Sequence, residues 1–170
     1  MRLMPVLASQ AGAVIKRTDR LASLTELAGK DPLTGLPNRR FWDEEVQRTL
    51  SLAGRHGTPV CVVVLDVNGL KQVNDLQGHQ AGDALLRDAA RSWEAQLRAE
   101  DLLARLGGDE FGVLVPGLRR AAAEAIVRRL TEAAPHLSAA AGVVEWDGAE
   151  SAAQLIHRAD EAMYVDKRAR

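Results

Sequence analysis

Two spacings of apolar residues alternate along this chain, and they predict a strand-rich centre with helices between the strands. Residues 59–65 are almost all apolar and β-branched, which is typical of a central strand buried on both faces. Two further apolar runs, 102–104 and 111–115, lie on either side of the consecutive glycines Gly107 and Gly108. Because a tight turn needs the backbone freedom of glycine, this arrangement predicts a β-hairpin.

Helical periodicity fills the segments between these runs. The predicted helices cover residues 39–53, 70–76, 81–97, 118–134 and the stretch from 151 to the end, and a fourth strand covers 137–146. In the first helix the expected core positions are Phe41, Val46, Leu50 and Leu52. Within the last strand, Gly142 is expected to mark a local irregularity. The order of elements predicts an α+β fold, with helices covering an antiparallel-rich central sheet.

Residues 1–30 form a separate segment before the domain that we assign to residues 31–170. Helix formers dominate the segment, and Val14, Leu21 and Ala28 recur at intervals of seven. A helix that packs on the surface of the domain explains this pattern as well as a coiled coil does. In the second interpretation the helix pairs two protomers.

The composition narrows the class of protein without identifying an activity. Of 170 residues, 46% are apolar and 26% are charged, which suits one globular domain with its own core. A net charge of −1 predicts neither nucleic-acid binding nor attraction to membranes. The sequence has no apolar run of about 18 residues, so we expect no membrane insertion and a cytoplasmic protein. The single cysteine, Cys61, falls inside the central apolar run and is expected to be a core residue.

Three carboxylates stand where predicted strands begin or end. Asp109 and Glu110 follow the glycine turn directly, and Asp66 ends the run over 59–65. Acidic residues are poor strand formers, so a pair of them at a hairpin tip indicates a site, although a solvated turn is the simpler alternative. A charge at the end of a buried strand favours a site, and capping of the next helix by Asp66, or by Asn68 after it, is the alternative. A shared site and separate structural roles both stay open at this point.

Polar residues also gather around Gly78, at the break between the second and third predicted helices. Asn74, His79 and Asp83 lie within this stretch. An Asp side chain can accept hydrogen bonds from the N1–H and N2–H groups of guanine, and Asn offers a donor as well as an acceptor. Helix capping around Gly78 would account for any one of them alone.

The residues at the hairpin, 107–111, read Gly-Gly-Asp-Glu-Phe and match the signature of the GGDEF family of diguanylate cyclases. The turn over 31–40 resembles the opening motif of that family, and residues 159–167 resemble its closing motif. The resemblance extends from about Asp31 to Lys167. It implies a palm-like fold shared with class III nucleotide cyclases and many polymerases. It also implies an enzyme that joins two GTP molecules into cyclic di-GMP.

The resemblance assigns roles to individual residues. Asp66, Asp109 and Glu110, together with the backbone carbonyl of Val67, match the ligands of Mg²⁺, for which Mn²⁺ is an alternative. Asp109 also matches the proton acceptor, so Asp109 and Glu110 are the catalytic candidates. The substrate-binding positions implied in this way are Asn74, His79, Asp83, Gly69, Leu70, Lys71, Gly107, Gly108 and Lys167.

Arg98 and Asp101 lie at the offset from Gly107 where the family carries an inhibitory site for the product, cyclic di-GMP. By itself, Arg-x-x-Asp is most often a solvated charge pair. Because two GTP molecules react and each domain provides one guanine pocket, the resemblance also implies a homodimer. Two positions depart from the family, Asn68 for a frequent Asp and Leu70 for a frequent Phe, and neither departure changes the metal ligands.

Two other functions are compatible with the sequence. A GGDEF-like domain of weak activity can bind GTP or cyclic di-GMP and signal through contacts, although such a binder has no need of all three carboxylates. A cyclase with a different base selectivity is disfavoured by Asp83, because adenine lacks the N1–H and N2–H donors that an Asp would bind.

Overall fold

The apolar run after Pro59 forms the central strand of the sheet. In the computed structural model, which describes residues 29–169, β1 (Val60–Val67) is buried along its whole length. It pairs antiparallel with β3 (Glu110–Pro116) on one side and with β4 (Ala139–Glu145) on the other, and β2 (Leu102–Gly107) pairs with β3. The sheet of this described part of the chain therefore has four strands in the order β2-β3-β1-β4. The predicted antiparallel sheet and hairpin are confirmed.

Helices cover both faces of this sheet. Those of the described residues are α1 (Arg39–His56), α2 (Leu70–Gln77), α3 (His79–Glu94), α4 (Arg120–Ala133) and α5 (Ala152–Ala169). Since successive side chains of a strand point to opposite faces, Val62 and Val64 pack in the core with α1 and α5, whereas Val63 and Leu65 pack with α3 and α4. Two apolar layers thus enclose β1. The predicted α+β class is confirmed.

The buried face of α1 differs from the prediction. Phe41 and Leu52 were expected in the core, but they are 40% and 38% exposed. Trp42 is fully buried instead, and the inward stripe continues through Val46, Leu50 and Ala53. These positions repeat every three or four residues, which is the period of one helix face, and the two wrong positions lie beside that stripe.

The connection between α2 and α3 is shorter than the sequence suggested. A single residue, Gly78, separates α2 from α3, and its φ of +85° explains why glycine stands there. Consequently α3 begins at His79 and not near Ala81, and it ends at Glu94.

Cys61 is buried, and burial raises the pKa of its thiol to about 12, so the prediction of a core residue is confirmed.

Gly142 causes no irregularity, contrary to the prediction. It pairs with Val64 in an unbroken register between β1 and β4. A Cβ at this position would lie 2.0 Å from the carbonyl oxygen of Ala159 and 2.4 Å from the backbone nitrogen of Met163. The glycine is therefore required because the backbone of α5 crosses β4 in direct contact with it.

The predicted helix over residues 1–30 lies outside the described residues except for its last two positions. Gly29 forms part of a turn, and Lys30 makes an isolated bridge with Pro37. Among the described helices, none combines the length and the apolar character that crossing a membrane requires.

Candidate active site

The three predicted carboxylates meet at the end of β1. Asp66 is directly paired with Glu110 in the register of β1 and β3, so both side chains leave the sheet on the same face. The backbone N–H of Val67 donates to the carbonyl oxygen of Asp109 at 2.9 Å, which holds the hairpin tip against the end of β1. Asp66 is only 5% exposed. Residues that are far apart in the sequence are thus brought to one sheet edge.

A lysine from the last helix neutralises the buried carboxylate. The Nζ atom of Lys167 lies 2.7 Å from Oδ1 of Asp66. The hydrogen bond to Asp66 raises the pKa of Lys167, and the charges of Asp109 and Glu110 act in the same direction. Since an isolated buried charge is strongly unfavourable, the Lys167 ammonium group serves as the counterion of Asp66.

Glu110 lies between an arginine and further acids. Nη2 of Arg39 lies 3.6 Å from Oε2 of Glu110. Burial and the nearby Asp160 raise the pKa of Glu110, Arg39 opposes that shift, and Asp66 and Asp109 add to it. Burial also raises the pKa of Asp160, against the charge of Arg39. The sheet edge is therefore an acidic patch that favours cations.

Arg105 fixes the hairpin tip to the turn that precedes α1. Its Nε and Nη2 atoms donate to the carbonyl oxygen of Gly108 at 3.1 and 2.8 Å, and its Nη1 atom donates to both carboxylate oxygens of Asp31 at 3.1 and 3.2 Å. Although burial opposes the shift, hydrogen bonds from Thr34 and Arg105 lower the pKa of Asp31. The turn itself needs glycine, since Gly107 has a φ of +146° and Gly108 a φ of +53°.

The predicted nucleotide-binding residues surround α2 and the start of α3. Gly69 precedes α2 with a φ of +78°, and Leu70 and Lys71 begin the helix. Asn74 is half-buried and lies against Gly82, where any Cβ would fall 2.0 Å from Oδ1 of Asn74. Asp83, also half-buried, follows that glycine, and the exposed His79 is the first residue of α3. Gly82 thus lets Asn74 lie directly against α3, one residue before Asp83.

The predicted inhibitory pair lies elsewhere. Asp101 accepts a hydrogen bond from the backbone N–H of Arg98 at 3.0 Å, in the turn before β2. The carboxylates stand beyond the opposite end of β2, about 20 Å away for a strand of six residues. The structure therefore does not bring Arg98 and Asp101 into the carboxylate edge.

The donors at this edge suit a hard divalent cation. Carboxylate oxygens and a backbone carbonyl are the ligands that Mg²⁺ prefers, and Asp66 already holds a cation in the form of the Lys167 ammonium. Across residues 29–169, no group of three or more His, Cys, Asp or Glu side chains is preassembled so that it could hold a metal ion. Lys167 and Arg39 instead contact the oxygens of Asp66 and Glu110. The predicted metal ligands stay a prediction.

Three further residues shape this site and were not predicted from the sequence: Arg39, Asp160 and Gly82. A glycine inside a helix is unfavourable by about 1 kcal/mol relative to alanine, so Gly82 carried a signal of close packing. Arg39 carried a second signal, because a cation at a helix N-terminus opposes the helix dipole. Nothing in the sequence alone indicated that Asp160 stands near Glu110.

The fold and its acidic sheet edge are those of a palm-like nucleotide cyclase domain. A family model described as diguanylate cyclase, GGDEF domain, matches residues 28–170. The chain therefore belongs to the GGDEF family of diguanylate cyclases.

Individual relatives agree with this assignment. The diguanylate cyclase TpbB of Pseudomonas aeruginosa is 37% identical over 163 residues, which cover 88% of this chain and 38% of TpbB. The diguanylate cyclase DgcP of the same organism is 35% identical over 82% of this chain and 22% of DgcP. The chain thus spans less than half the length of either relative.

Solved structures share the fold. The coiled coil and GGDEF domain of DgcB from Caulobacter crescentus, in complex with c-di-GMP, superposes with a TM-score of 0.95 at 27% identity, over 99% of this chain and 96% of that one. The GGDEF domain of TpbB superposes with a TM-score of 0.80 at 36% identity, over 83% of this chain and 90% of that one. The palm-like fold predicted from the resemblance is confirmed.

Proposed function

We propose that this chain is a diguanylate cyclase that condenses two GTP molecules into cyclic di-GMP and two pyrophosphates. The observation that carries the proposal is the pairing of Asp66 with Glu110 beside the tip that holds Asp109. In the reaction, the 3′-hydroxyl of one GTP attacks the α-phosphorus of the other, and pyrophosphate leaves. Repeating this step on the second nucleotide closes the ring.

The residues of the chain supply positioning and charge. Asp66, Asp109, Glu110 and the carbonyl of Val67 would hold Mg²⁺ or Mn²⁺, which when bound lowers the pKa of the 3′-hydroxyl and offsets charge on the phosphates. Asp109 accepts the hydroxyl proton. Lys167 contacts a phosphate, and most of the rate enhancement comes from the alignment of the two nucleotides.

The phosphates also approach the backbone. Gly107 and Gly108 have no side chain that would obstruct the substrate, and the N–H groups of residues 69–71, at the start of α2, are available near the phosphates. This arrangement supports the assignment of Gly69, Leu70 and Lys71 to phosphate binding.

Asp83 and Asn74 select guanine. The carboxylate of Asp83 accepts from N1–H and N2–H, which adenine does not offer. Asp83→Ser should therefore relax the preference for GTP over ATP, and His79→Ala, which lies at the rim of the same surface, should leave that preference unchanged. A parent-like preference for GTP in Asp83→Ser would contradict the assignment.

The active form is a homodimer in which two substrate-loaded domains face each other, because each domain binds one guanine. The segment over residues 1–30 is the proposed pairing element. Activity per chain should rise with protein concentration in step with the dimer fraction measured by sedimentation. Full activity at concentrations where only monomer sediments would contradict this part of the proposal.

Product inhibition is proposed at Arg98 and Asp101. The guanidinium of Arg98 is exposed and suits a phosphate or a guanine edge. Arg98→Ala should weaken inhibition by added cyclic di-GMP and leave the initial rate intact. Unchanged sensitivity to cyclic di-GMP in this variant would remove the assignment.

The decisive experiment incubates the chain with GTP and Mg²⁺ and measures both pyrophosphate and the dinucleotide. Asp66→Asn is the matched inactive variant, because the amide keeps the shape of the side chain and removes its charge. If the parent binds GTP or cyclic di-GMP but forms no product, the alternative of a binding effector is correct. Because the reaction consumes GTP, we further propose a cytoplasmic location.

A further inference from the structure

Arg39 opens α1 at a position where helix physics disfavours it. The first turn of α1 contains Arg39 and Arg40 and no acidic residue. Cations at a helix N-terminus oppose the helix dipole, and the cap is already supplied by Asn38, whose side chain accepts from the N–H of Phe41 at 3.1 Å. The needs of the helix therefore do not explain Arg39.

The contacts of Arg39 reach both strands of the hairpin. Its Nε atom donates to the carbonyl oxygen of Leu106 at 3.2 Å, and its Nη2 atom lies 3.6 Å from Oε2 of Glu110. Leu106 is next to the glycine turn on β2, and Glu110 begins β3. One planar guanidinium group thus spans the hairpin immediately behind its tip.

Glu110 needs such a partner to stay in place. Its side chain is 40% exposed, and Asp66, Asp109 and Asp160 all act on it as like charges. Arg39 also borders a groove of about 380 Å³ between α1 and α5, which it shares with His157 and Asp160. Repulsion from the neighbouring acids would move Glu110 toward solvent once the guanidinium was removed.

The adjacent arginine provides an internal comparison. Arg40 has the same side chain in the same helical turn, but its partner is Glu44, at 4.0 Å on the solvent face of α1. Such an exposed pair contributes little. An effect that Arg39 has and Arg40 lacks must therefore come from the side of α1 that faces the site, where Arg39 contacts the hairpin and acts on Asp160, and the double variant described below isolates the contact with Glu110.

We propose that Arg39 is a positioning residue that holds the Glu110 carboxylate at the acidic edge by bridging it to the Leu106 carbonyl. The role rests on the proposed function, in which Glu110 is one of the residues that would hold the divalent ion. It also ties the start of α1, and the turn before it, to the site of the reaction.

The kinetic test compares Arg39→Ala, Arg39→Lys and the control Arg40→Ala. Arg39→Ala should lower kcat about tenfold or more and change KM for GTP less than about twofold, because the guanine surface lies on α2 and α3. Arg39→Lys keeps the charge, but an ammonium group cannot form the same two-pronged bridge, so kcat should stay about threefold below the parent. Parent-like kcat in Arg39→Ala, a change confined to KM, or full rescue by lysine would each overturn the proposal.

A second measurement does not depend on turnover. Urea unfolding of the parent, Arg39→Ala, Glu110→Gln and the double variant should show a coupling of about two- to fivefold in the unfolding constant, as expected for a half-exposed pair. Strictly additive effects would mean that Arg39 does not hold Glu110. A parent that makes no dinucleotide would refute the proposed function, and the unfolding cycle would still decide whether the contact exists.

Discussion

Replacing Lys167 by methionine tests whether its ammonium group is the counterion of Asp66. Methionine keeps much of the length and apolar character of the lysine stem but has no charge, so the variant leaves Asp66 without its partner at 2.7 Å. Breaking a buried ion pair by removing one partner is destabilising by about 3–5 kcal/mol. The Lys167 side chain is 43% exposed, so water screens part of this interaction.

Allowing for that screening, we expect Lys167→Met to lower the free energy of unfolding by about 2 kcal/mol. For a chain of this size, that corresponds to a fall of about 4–8 °C in the melting temperature. The raised pKa of Lys167 means that its contribution is fully present below its unfolded-state pKa, about 10.4, and is lost as the pH rises through the folded-state value. The difference from the parent should therefore be constant around neutrality and shrink only in the alkaline range.

The assay is thermal unfolding without nucleotide, first with a chelator and then with increasing Mg²⁺ or Mn²⁺. In the parent a divalent ion must displace the ammonium group from Asp66, so the ion should stabilise Lys167→Met more than the parent. Arg168→Met is the matched control, because Arg168 is the next residue of α5 and lies over the ring of Tyr164 at 5.7 Å. A melting temperature equal to that of the parent, or equal stabilisation of both proteins by the ion, would refute the reasoning.

Two further predictions concern stability. Glu110→Gln should abolish product formation and raise the melting temperature at pH 7, because burial and Asp160 raise the pKa of Glu110, so its ionised form destabilises the fold. The gain should fade as the pH falls through the raised pKa of Glu110 and be absent below about 4.3, where the carboxyl is neutral in both states, and a gain that persisted there would contradict this account. Gly142→Ala should lower the free energy of unfolding by about 2–3 kcal/mol in chemical denaturation, because its Cβ meets the backbone of α5. The control Ala141→Gly should lower it by no more than about 1 kcal/mol, and the reverse order would refute the packing argument.

The sequence was sufficient to predict the strands and helices and to identify the three carboxylates as candidate site residues. Continuous β-branched residues over 59–65 and the paired glycines at 107–108 reflect local constraints, and such constraints can be recognised without knowing what packs against them. The convergence of Asp66 with Asp109 and Glu110 came from the family resemblance, and the antiparallel register supports it.

The features that were missed depend on neighbours distant in sequence. Trp42 and Phe41 are adjacent apolar residues, and only the position of the sheet decides which one faces the core. Gly142 was predicted to be a local irregularity of a strand, because the sequence of the strand does not show that the backbone of α5 packs against this position. The partners of Arg39 lie 67 and 71 residues further along the chain, on the hairpin, so no local pattern could reveal them.

The hairpin register has a consequence for how sequences of this kind can change in length. β2 and β3 shift register between Arg105 and Gly107. On its other side β3 pairs with β1, and there Glu110 stands opposite Asp66. Adding or deleting one residue in β3 would exchange the two sides of the strand and turn Glu110 toward the opposite layer of helices, with Phe111 in its place after an addition and Asp109 after a deletion. Natural variation in loop size should therefore accumulate at the solvent-facing connections near Gly117 and Gly148, while the number of residues between Gly108 and Pro116 stays constant.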